Sequence, residues 1–208
     1  MMTRKRPLLI GLTGSIGMGK SETAQQFAQL GIPVHDADAA VHRTYETGGA
    51  AVSAIAAAFP GCVTDGRVDR TSLAARLRND AAAFAKLESI VHPLVAAEQR
   101  LFVEKAAAAG VEMVVLDVPL LFETGSEGDM DAVVVVSAPG DVQRLRVLAR
   151  PGMSEQALDH ILARQIPDVD KRARAHFVVE TDKGLEHAFE QVKSIVAELR
   201  ERAKAKHA

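Results

Sequence analysis

Short runs of branched apolar residues recur along the 208-residue chain and alternate with longer segments of helical periodicity. Near-continuous apolarity, without polar residues at alternate positions, is typical of strands that are buried on both faces of a parallel sheet. The pattern therefore predicts an α/β fold, in which a parallel five-stranded sheet is flanked by helices. The predicted strands are Leu8–Leu12, Met113–Leu116, Ala132–Val136, Phe177–Val179 and, on a shorter apolar run, Ile32–Val34.

Segments with helical spacing of apolar residues fill the intervals between these strands. They predict helices at 19–30, 38–58, 71–110, 141–149 and 154–174. After Gly184 a further segment places apolar residues three and four positions apart, which predicts a terminal helix packed on the sheet through one face. That face consists of Leu185, Phe189, Val192, Val196 and Leu199.

The uneven spacing of the strands divides the chain. About eighty residues without a strong strand signal separate the second predicted strand from the third, far more than an ordinary crossover contains. We predict that 40–110 form a helical insertion at the carboxyl end of the sheet, where open α/β proteins bind ligands. Asp69 is suited to cap a helix within it. A second helical unit at 140–175 leaves a core made of 1–39, 111–139 and 176–208.

Composition and charge exclude several classes of protein. Lys plus Arg total 25 and Asp plus Glu total 27, so the net charge is −2 and no global basic field favours nucleic acid or an anionic membrane. Aromatic residues make up 4% of the chain, with no Trp, which argues against a base-stacking platform. The single cysteine, Cys62, permits no intrachain disulfide and argues against a Cys-based zinc site. We find no apolar run long enough to cross a bilayer and expect a cytoplasmic protein.

The segment after the first predicted strand matches G-x-x-x-x-G-K-[ST] at every fixed position. In such a loop, glycines let the chain fold tightly, so that backbone N–H groups and the following helix N-terminus face phosphate. The lysine is expected to reach the β- and γ-phosphates of a nucleotide, and the final hydroxyl to bind Mg²⁺. We therefore predict a nucleotide-binding core of the P-loop NTPase type, with ATP bound by Gly14, Ser15, Ile16, Gly17, Met18, Gly19, Lys20 and Ser21.

A phosphate loop leaves the reaction open between a small-molecule kinase and a hydrolysing switch or motor. The N-K-x-D base-reading motif of switch GTPases is absent from the sequence. The third predicted strand ends in Asp117, which is followed by Val118-Pro119 rather than by the second acidic residue typical of motor ATPases. Asp117 is a candidate to assist Mg²⁺ or, alternatively, a carboxylate that only caps a loop. The absence of both features favours a kinase.

Two carboxylates, Asp36 and Asp38, follow the second predicted strand. At the carboxyl end of a strand, one of them could accept the proton of a hydroxyl that attacks the γ-phosphate. The pattern also suits a helix cap, and Asp38 could serve both purposes.

Taken together, these motifs resemble those of the dephospho-CoA kinases. The phosphate loop and Asp36-Ala37-Asp38 occur in that family's order and approximate spacing, and the resemblance covers residues 8 to 199. It implies transfer of the γ-phosphate of ATP to the ribose 3′-hydroxyl of dephospho-CoA, the last step of coenzyme A synthesis. The further segments that carry it are Asp65–Arg70, His92-Pro93, Pro119–Glu123 and Ile161–Gln165.

The resemblance also implies roles for individual residues. Asp38 aligns with the presumed general base, with Asp36 supporting it or the metal, and Arg150 with a lid arginine that closes over the transferring phosphate. Lys20 completes the implied catalytic set. The residues implied to contact dephospho-CoA are Asp36, Asp38, His92, Pro119, Leu120 and Glu123.

The implied ligands are ATP with Mg²⁺ and dephospho-CoA, bound by a monomer. Ser21 is the expected Mg²⁺ ligand, with Asp36 or Asp117 as a second. The helical unit at 140–175 is expected to act as a mobile lid, and most of its other basic residues are expected to form a solvated face. These other basic residues are Arg144, Arg146, Arg164, Lys171, Arg172 and Arg174.

One position departs from the family pattern. Members commonly have an Asn and then a Gly after the last strand, near the adenine of ATP, whereas this chain has Thr181 and reaches Gly184 at a different spacing. Adenine contacts there are therefore not predicted. Another P-loop nucleoside or metabolite kinase and a nucleotide-dependent regulatory protein remain as alternatives.

Overall fold

The structure is a computed structural model that describes residues 6–205 and divides the chain into two compact units. Among the described residues, one unit comprises those up to His35 together with those from Ala106 onward, and the other is Asp36–Lys105. In chain order the elements are β1 (Leu8–Thr13), α1 (Lys20–Gln29), β2 (Val34–Asp36), α2 (Ala37–Tyr45), α3 (Val52–Ala58), β3 (Val63–Thr64), β4 (Arg67–Val68), α4 (Arg70–Leu77), α5 (Ala81–Ala108), β5 (Met113–Asp117), a 3₁₀ turn (Ser126–Asp129), β6 (Ala132–Ser137), α6 (Gly140–Leu148), α7 (Glu155–Leu162), α8 (Asp168–Arg174), β7 (Phe177–Glu180) and α9 (Leu185–Ala205).

The five apolar runs form one parallel sheet with the strand order β2-β5-β1-β6-β7, which confirms the predicted fold class. The central strand β1 pairs with β5 on one side, where Leu12 lies opposite Asp117, and with β6 on the other. All residues of β5 and β6 are buried, as the absence of polar alternation predicts. The run at Ile32–Val34 contributes its strand two residues later, at Val34–Asp36.

The terminal helix α9 covers the sheet through the predicted face. Val192, Val196 and Leu199 are buried in the core that also contains Ile10 and Val134. The first member of the predicted face, Leu185, is instead 63% exposed at the start of the helix. The apolar contact surface therefore begins one turn into α9.

The helix predicted at 154–174 is two helices, α7 and α8. The side chain of Ser154 caps α7 by accepting a hydrogen bond from the N–H of Ala157. Pro167 precedes α8, and the residue before a proline is disfavoured in the helical conformation, so the helix is interrupted there. The resulting linker carries Gln165.

The second unit has a core of its own, built around Ile55, Phe59, Leu73 and Val91, and Cys62 is buried within it. Each of the long helices predicted at 38–58 and 71–110 is divided in two. Breaks occur where Gly48 and Asn79 adopt positive φ angles of 76° and 60°, which a helix does not allow.

The side chain of Asp36 caps α2 by accepting a hydrogen bond from Ala39 N at 2.9 Å. Asp69 caps α4, as predicted. His92 and Pro93 lie inside α5 and not at a helix boundary. Across residues 6–205, none of the helices is long and apolar enough to span a membrane.

Candidate active site

The phosphate loop connects β1 to α1 and requires glycine at specific positions. Gly17 has a φ of 78°, and a Cβ there would lie 2.5 Å from Val147 Cγ2. A Cβ on Gly14 would lie 2.6 Å from the carbonyl oxygen of Val136 in β6. Both distances are shorter than any van der Waals contact, so the path of the loop depends on the absence of these side chains.

Lys20 begins α1, and its ammonium forms an ion pair with Asp117 at the end of β5. Asp117 reaches it because the parallel register sets this residue opposite Leu12, just before the loop. The Lys20 side chain is 17% exposed and that of Asp117 4%, so the pair is largely desolvated. In such surroundings the carboxylate restricts the position of the lysine much more strongly than a surface partner would.

Two glutamines from the predicted lid hold the peptide groups on either side of Ile16. Gln143, on α6, donates from Nε2 to the Ile16 carbonyl oxygen at 2.7 Å. Gln165 accepts a hydrogen bond from the Ile16 N–H at 3.2 Å. The phosphate loop is therefore attached to α6 and to the α7–α8 linker through one residue.

Thr181 and Arg146 hold the next part of the loop. The Thr181 hydroxyl donates to the Met18 carbonyl oxygen at 2.7 Å and accepts from Arg146 Nη1 at 2.8 Å. Arg146 also donates to the Thr181 carbonyl oxygen at 2.8 Å. At the position where the family pattern differs from this sequence, the threonine thus supports the phosphate loop.

A cavity of about 240 Å³ lies beside the loop in the first unit. Gly17 and Gly19 line it from the loop, and Arg146 and Arg150 line it from α6 and the residues that follow. Arg150 is exposed, so its guanidinium is accessible to an anion. The other lining residues include Thr181 and Gly184, which follow β7.

A second cavity in the same unit, of about 450 Å³, contains charged groups that are paired with one another. Arg172 donates to Ser137 Oγ at 3.0 Å, and the Glu180 carboxylate accepts from Lys183 and from Arg172. The hydrogen bonds from Lys183 and Arg172 lower the pKa of Glu180. These pairs form part of the packing of α8 against β6 and β7.

Lys171, on the predicted lid, is fully buried. The expectation of a solvated face is wrong for this residue, because its ammonium forms an ion pair at 2.8 Å with Glu123. The Glu123 carboxylate also accepts from Ile166 N at 2.9 Å. Burial raises the pKa of Glu123, but the hydrogen bonds from Lys171 and Ile166 outweigh it, and the net pKa is below the ordinary value.

The neighbouring predicted residues differ in exposure. Leu120 is 43% exposed, whereas Pro119 is half-buried and accepts a hydrogen bond through its carbonyl oxygen from Thr13 Oγ1 at 3.0 Å. Of the predicted acceptor contacts on this segment, Leu120 therefore presents the most accessible side chain.

The second unit contains the remaining predicted site residues. Asp38 lies exposed in the first turn of α2, while Asp36 caps that helix. His92 is exposed on α5, with Nε2 at 3.8 Å from Glu88 Oε1 one turn earlier.

The candidate metal ligands of the first unit are hydroxyl and carboxylate oxygens. Ser21, the second residue of α1, is exposed, and Asp117 lies beside Lys20. Within the described part of the chain, no cluster of three or more His, Cys, Asp or Glu side chains could hold a metal ion. This donor set fits Mg²⁺, which typically takes one or two protein oxygens and completes its shell with phosphates and water.

Four residues that support the loop had no role in the sequence-based prediction. The sequence places Gln165 only within the lid segment, and Arg146 only among its basic residues. Gln143 gives no signal in the sequence, and Thr181 differs there only as a departure from the family pattern. Their contacts depend on tertiary structure, because Ile16 and Gln165 are 149 positions apart.

Comparisons with known proteins agree with the resemblance. A family profile described as Dephospho-CoA kinase matches residues 8–187. Curated proteins named dephospho-CoA kinase from Mesorhizobium japonicum and Bradyrhizobium diazoefficiens are 55% and 56% identical, over 93% and 92% of this chain and 97% and 95% of their own. A Thermus thermophilus crystal structure has a TM-score of 0.80 at 37% identity, covering 94% of this chain and 99% of its own. A shikimate kinase from Acinetobacter baumannii, with a TM-score of 0.55 at 18% identity over 94% of each chain, shares the fold.

Proposed function

Because the chain belongs to the dephospho-CoA kinase family, we propose that it transfers the γ-phosphate of ATP to the 3′-hydroxyl of dephospho-CoA, giving CoA and ADP. The observation that carries this proposal is the family match over residues 8–187, which includes the phosphate loop with its Lys20–Asp117 pair and the carboxylates at the end of β2. The chain is thus an ATP-dependent phosphotransferase.

ATP binds through the phosphate loop, with its phosphates facing the backbone N–H groups from Gly14 to Ser21 and the N-terminus of α1. Lys20 offsets the charge that develops on the transferred phosphoryl group. The cavity of about 240 Å³ beside the loop continues this site. Arg146 and Arg150 are its cations, and a guanidinium binds phosphate oxygens in a bidentate manner.

Mg²⁺ accompanies ATP. Ser21 would hold it through the hydroxyl, and Asp117 or Asp36 would contribute a carboxylate, directly or through water. When bound, the ion neutralises phosphate charge and orients the transferred group.

The acceptor binds to the helical insertion at 40–110. Asp38 accepts the proton of the ribose 3′-hydroxyl as its oxygen attacks the γ-phosphorus. The bond from that phosphorus to the β-phosphate oxygen breaks, and ADP leaves. The contacts with dephospho-CoA include Asp36, Asp38, His92, Pro119, Leu120 and Glu123.

The segment 140–175 acts as the lid of this reaction. Its attachment to Ile16 through Gln143 and Gln165 gives closure a direct mechanical link to the phosphate loop. Closure excludes water from the transferred phosphate and thus limits hydrolysis of ATP. The protein acts as a monomer in the cytoplasm, on small molecules alone.

Turnover of ATP with different acceptors tests this function. The purified protein is assayed with dephospho-CoA, AMP, shikimate or no acceptor, and the products are separated and identified. We expect ADP formation that depends on dephospho-CoA and equals CoA formation. Turnover with AMP or shikimate alone would assign another kinase activity, and equal ATP hydrolysis without any acceptor would favour a regulatory protein.

A further inference from the structure

The second unit carries a polar cavity of about 460 Å³ that is separate from Asp36, Asp38 and His92. Three elements form it: the end of α2, the β3–β4 hairpin and the start of α4. The polar residues that line it are Tyr45, Glu46, Thr64, Arg67, Asp69 and Arg70.

The hairpin directs Arg67 away from the core of the unit. Asp65 and Gly66 have φ angles of 51° and 73°, the left-handed conformations of a two-residue hairpin turn. Across it Thr64 pairs with Arg67, while Val68 is buried in the core. Because side chains alternate along a strand, the burial of Val68 places Arg67 on the opposite, exposed face.

The start of α4 supplies the second guanidinium. The Asp69 carboxylate accepts hydrogen bonds from the Thr71 and Ser72 N–H groups and from the Ser72 hydroxyl, so it is committed to the helix cap. Arg70 follows, and its Nη1 lies 3.0 Å from His42 Nδ1. An arginine has five N–H donors in a planar fork, and this contact uses one of them.

The contact with His42 relates the cavity to the proposed base. Asp38, His42 and Tyr45 stand at positions i, i+4 and i+7 of α2 and therefore share one face of the helix. Arg70 therefore contacts α2 at His42. His42 lies one helical turn from Asp38, which is about 6 Å along the helix axis. Tyr45, a further turn on, lines the cavity itself.

We propose that this cavity is the subsite for the 5′-diphosphate of dephospho-CoA, with Arg67 and Arg70 as its ligands. The inference rests on the proposed function. In dephospho-CoA the 3′-hydroxyl and the 5′-diphosphate extend from the same ribose, so a base and a diphosphate site must lie within a short distance of each other. One face of α2 provides that arrangement, and paired guanidinium groups match the geometry of phosphate oxygens.

Kinetics with two acceptors test the subsite. Dephospho-CoA carries the diphosphate, and adenosine presents the same 3′-hydroxyl without it. For Arg67→Met and Arg70→Met we expect kcat/KM for dephospho-CoA to fall about 10–100-fold each, as loss of a charge-assisted phosphate contact predicts, with an unchanged KM for ATP. Turnover of adenosine should be the same in the variants and the wild type, and Arg70→Lys should be intermediate.

Two further variants serve as controls. Arg76→Met removes a cation from the same helix α4, where Arg76 pairs with Asp80 at 3.6 Å, and should leave both acceptors unaffected. Glu46→Gln removes a carboxylate that lines the cavity, and should lower the KM for dephospho-CoA.

Isothermal titration calorimetry measures binding of the acceptor directly. It tests the contribution of Arg67 and Arg70 to that binding even if adenosine is too poor a substrate for kinetics. An unchanged Kd for dephospho-CoA in Arg67→Met and Arg70→Met would overturn the subsite, as would equal losses with adenosine and dephospho-CoA. These outcomes are distinct from a failure of the proposed function, in which the wild-type protein itself would form no CoA.

Discussion

At the scale of single residues, the two carboxylates after β2 have separable tasks. Asp36 is the cap of α2, because its side chain accepts from Ala39 N, and Asp38 is exposed in the first turn. The cap uses one carboxylate oxygen of Asp36, Oδ1, whereas Asp38 is the carboxylate that we propose as the base. The shared D-x-D pattern in the sequence could not make this distinction.

Replacing Asp38 by Asn removes the proposed base and keeps the size of the side chain. We expect kcat to fall about 10²–10⁴-fold, the usual contribution of a positioned general base. ATP affinity, measured by fluorescence titration with a nucleotide analogue, should not change. A near-normal kcat would remove Asp38 from the base role.

Asp36→Asn is the matched control, because asparagine caps a helix as well as aspartate does. We expect a near-normal Tm, since the cap is retained. If kcat falls nonetheless, the charge of Asp36 contributes to metal or acceptor binding. A large loss of Tm would contradict the assignment of its side chain to a replaceable cap.

The phosphate loop could be predicted from the sequence because its residues form one contiguous motif. The residues that hold the loop could not. Gln143, Gln165 and Thr181 reach Ile16 and Met18 only because β1, β6 and β7 are neighbours in the sheet. A glutamine gives no signal in a single sequence that would distinguish such a contact from a surface position.

At the scale of elements, the two glutamines connect α6 and the α7–α8 linker to the phosphate loop with opposite hydrogen-bond polarity. Gln165 accepts from Ile16 N–H, which a carboxylate can also do. Gln143 donates to the Ile16 carbonyl, which a carboxylate cannot. The same substitution should therefore have different effects at the two positions.

We expect the KM for ATP to be about tenfold or more higher in Gln143→Glu than in Gln165→Glu. In Gln143→Glu a buried carboxylate oxygen would face the Ile16 carbonyl oxygen, and both of these groups are acceptors. Both variants add the same charge near the phosphates, so their difference isolates hydrogen-bond polarity. Steady-state kinetics with varied ATP measures it. Equal KM values would show that the glutamines do not position the loop.

Helix boundaries were the least predictable elements. The apolar pattern continues through Gly48, Asn79 and Pro167, where the backbone leaves the helical conformation. By contrast, Pro93 lies within α5, and on that helix Leu87 and Val91 are buried in the core of the second unit. Tertiary packing thus decides which breaker residues end a helix, and local sequence cannot.

At the scale of the whole molecule, the sheet follows directly from the five apolar runs, because strands without polar alternation have no stable arrangement other than burial on both faces. The Lys171–Glu123 ion pair, in contrast, joins α8 to the segment after β5 and was not foreseen. The sequence marked Lys171 as one of several basic residues, and only the packed structure excludes it from solvent.

The low pKa of Glu123 makes stability depend on pH. The folded carboxyl binds a proton less readily than the unfolded one, so its stabilisation is present above the unfolded value of about 4.3 and is lost as the pH falls through the folded pKa. We expect Glu123→Gln to cost about 3 kcal/mol at pH 7, because Lys171 stays buried without its counter-charge. The difference in the free energy of unfolding between Glu123→Gln and the wild type should become smaller below about pH 4.

Urea unfolding at several pH values measures this difference. Glu198→Gln is the control, since its pair with Arg202 is half-exposed on α9, and should change stability by less than about 1 kcal/mol. A gap between the wild type and Glu123→Gln that does not vary with pH would contradict the assigned pair.

The most direct test of the account is the identity of the product made from ATP and dephospho-CoA. The reaction mixture is analysed by mass spectrometry and by a CoA-specific enzyme, which together report addition of one phosphate and its position on the ribose. We predict that the wild-type protein converts dephospho-CoA to CoA with one ADP formed per CoA, and that Lys20→Ala forms almost none. ATP consumption without CoA, or a phosphate at another position, would contradict the account.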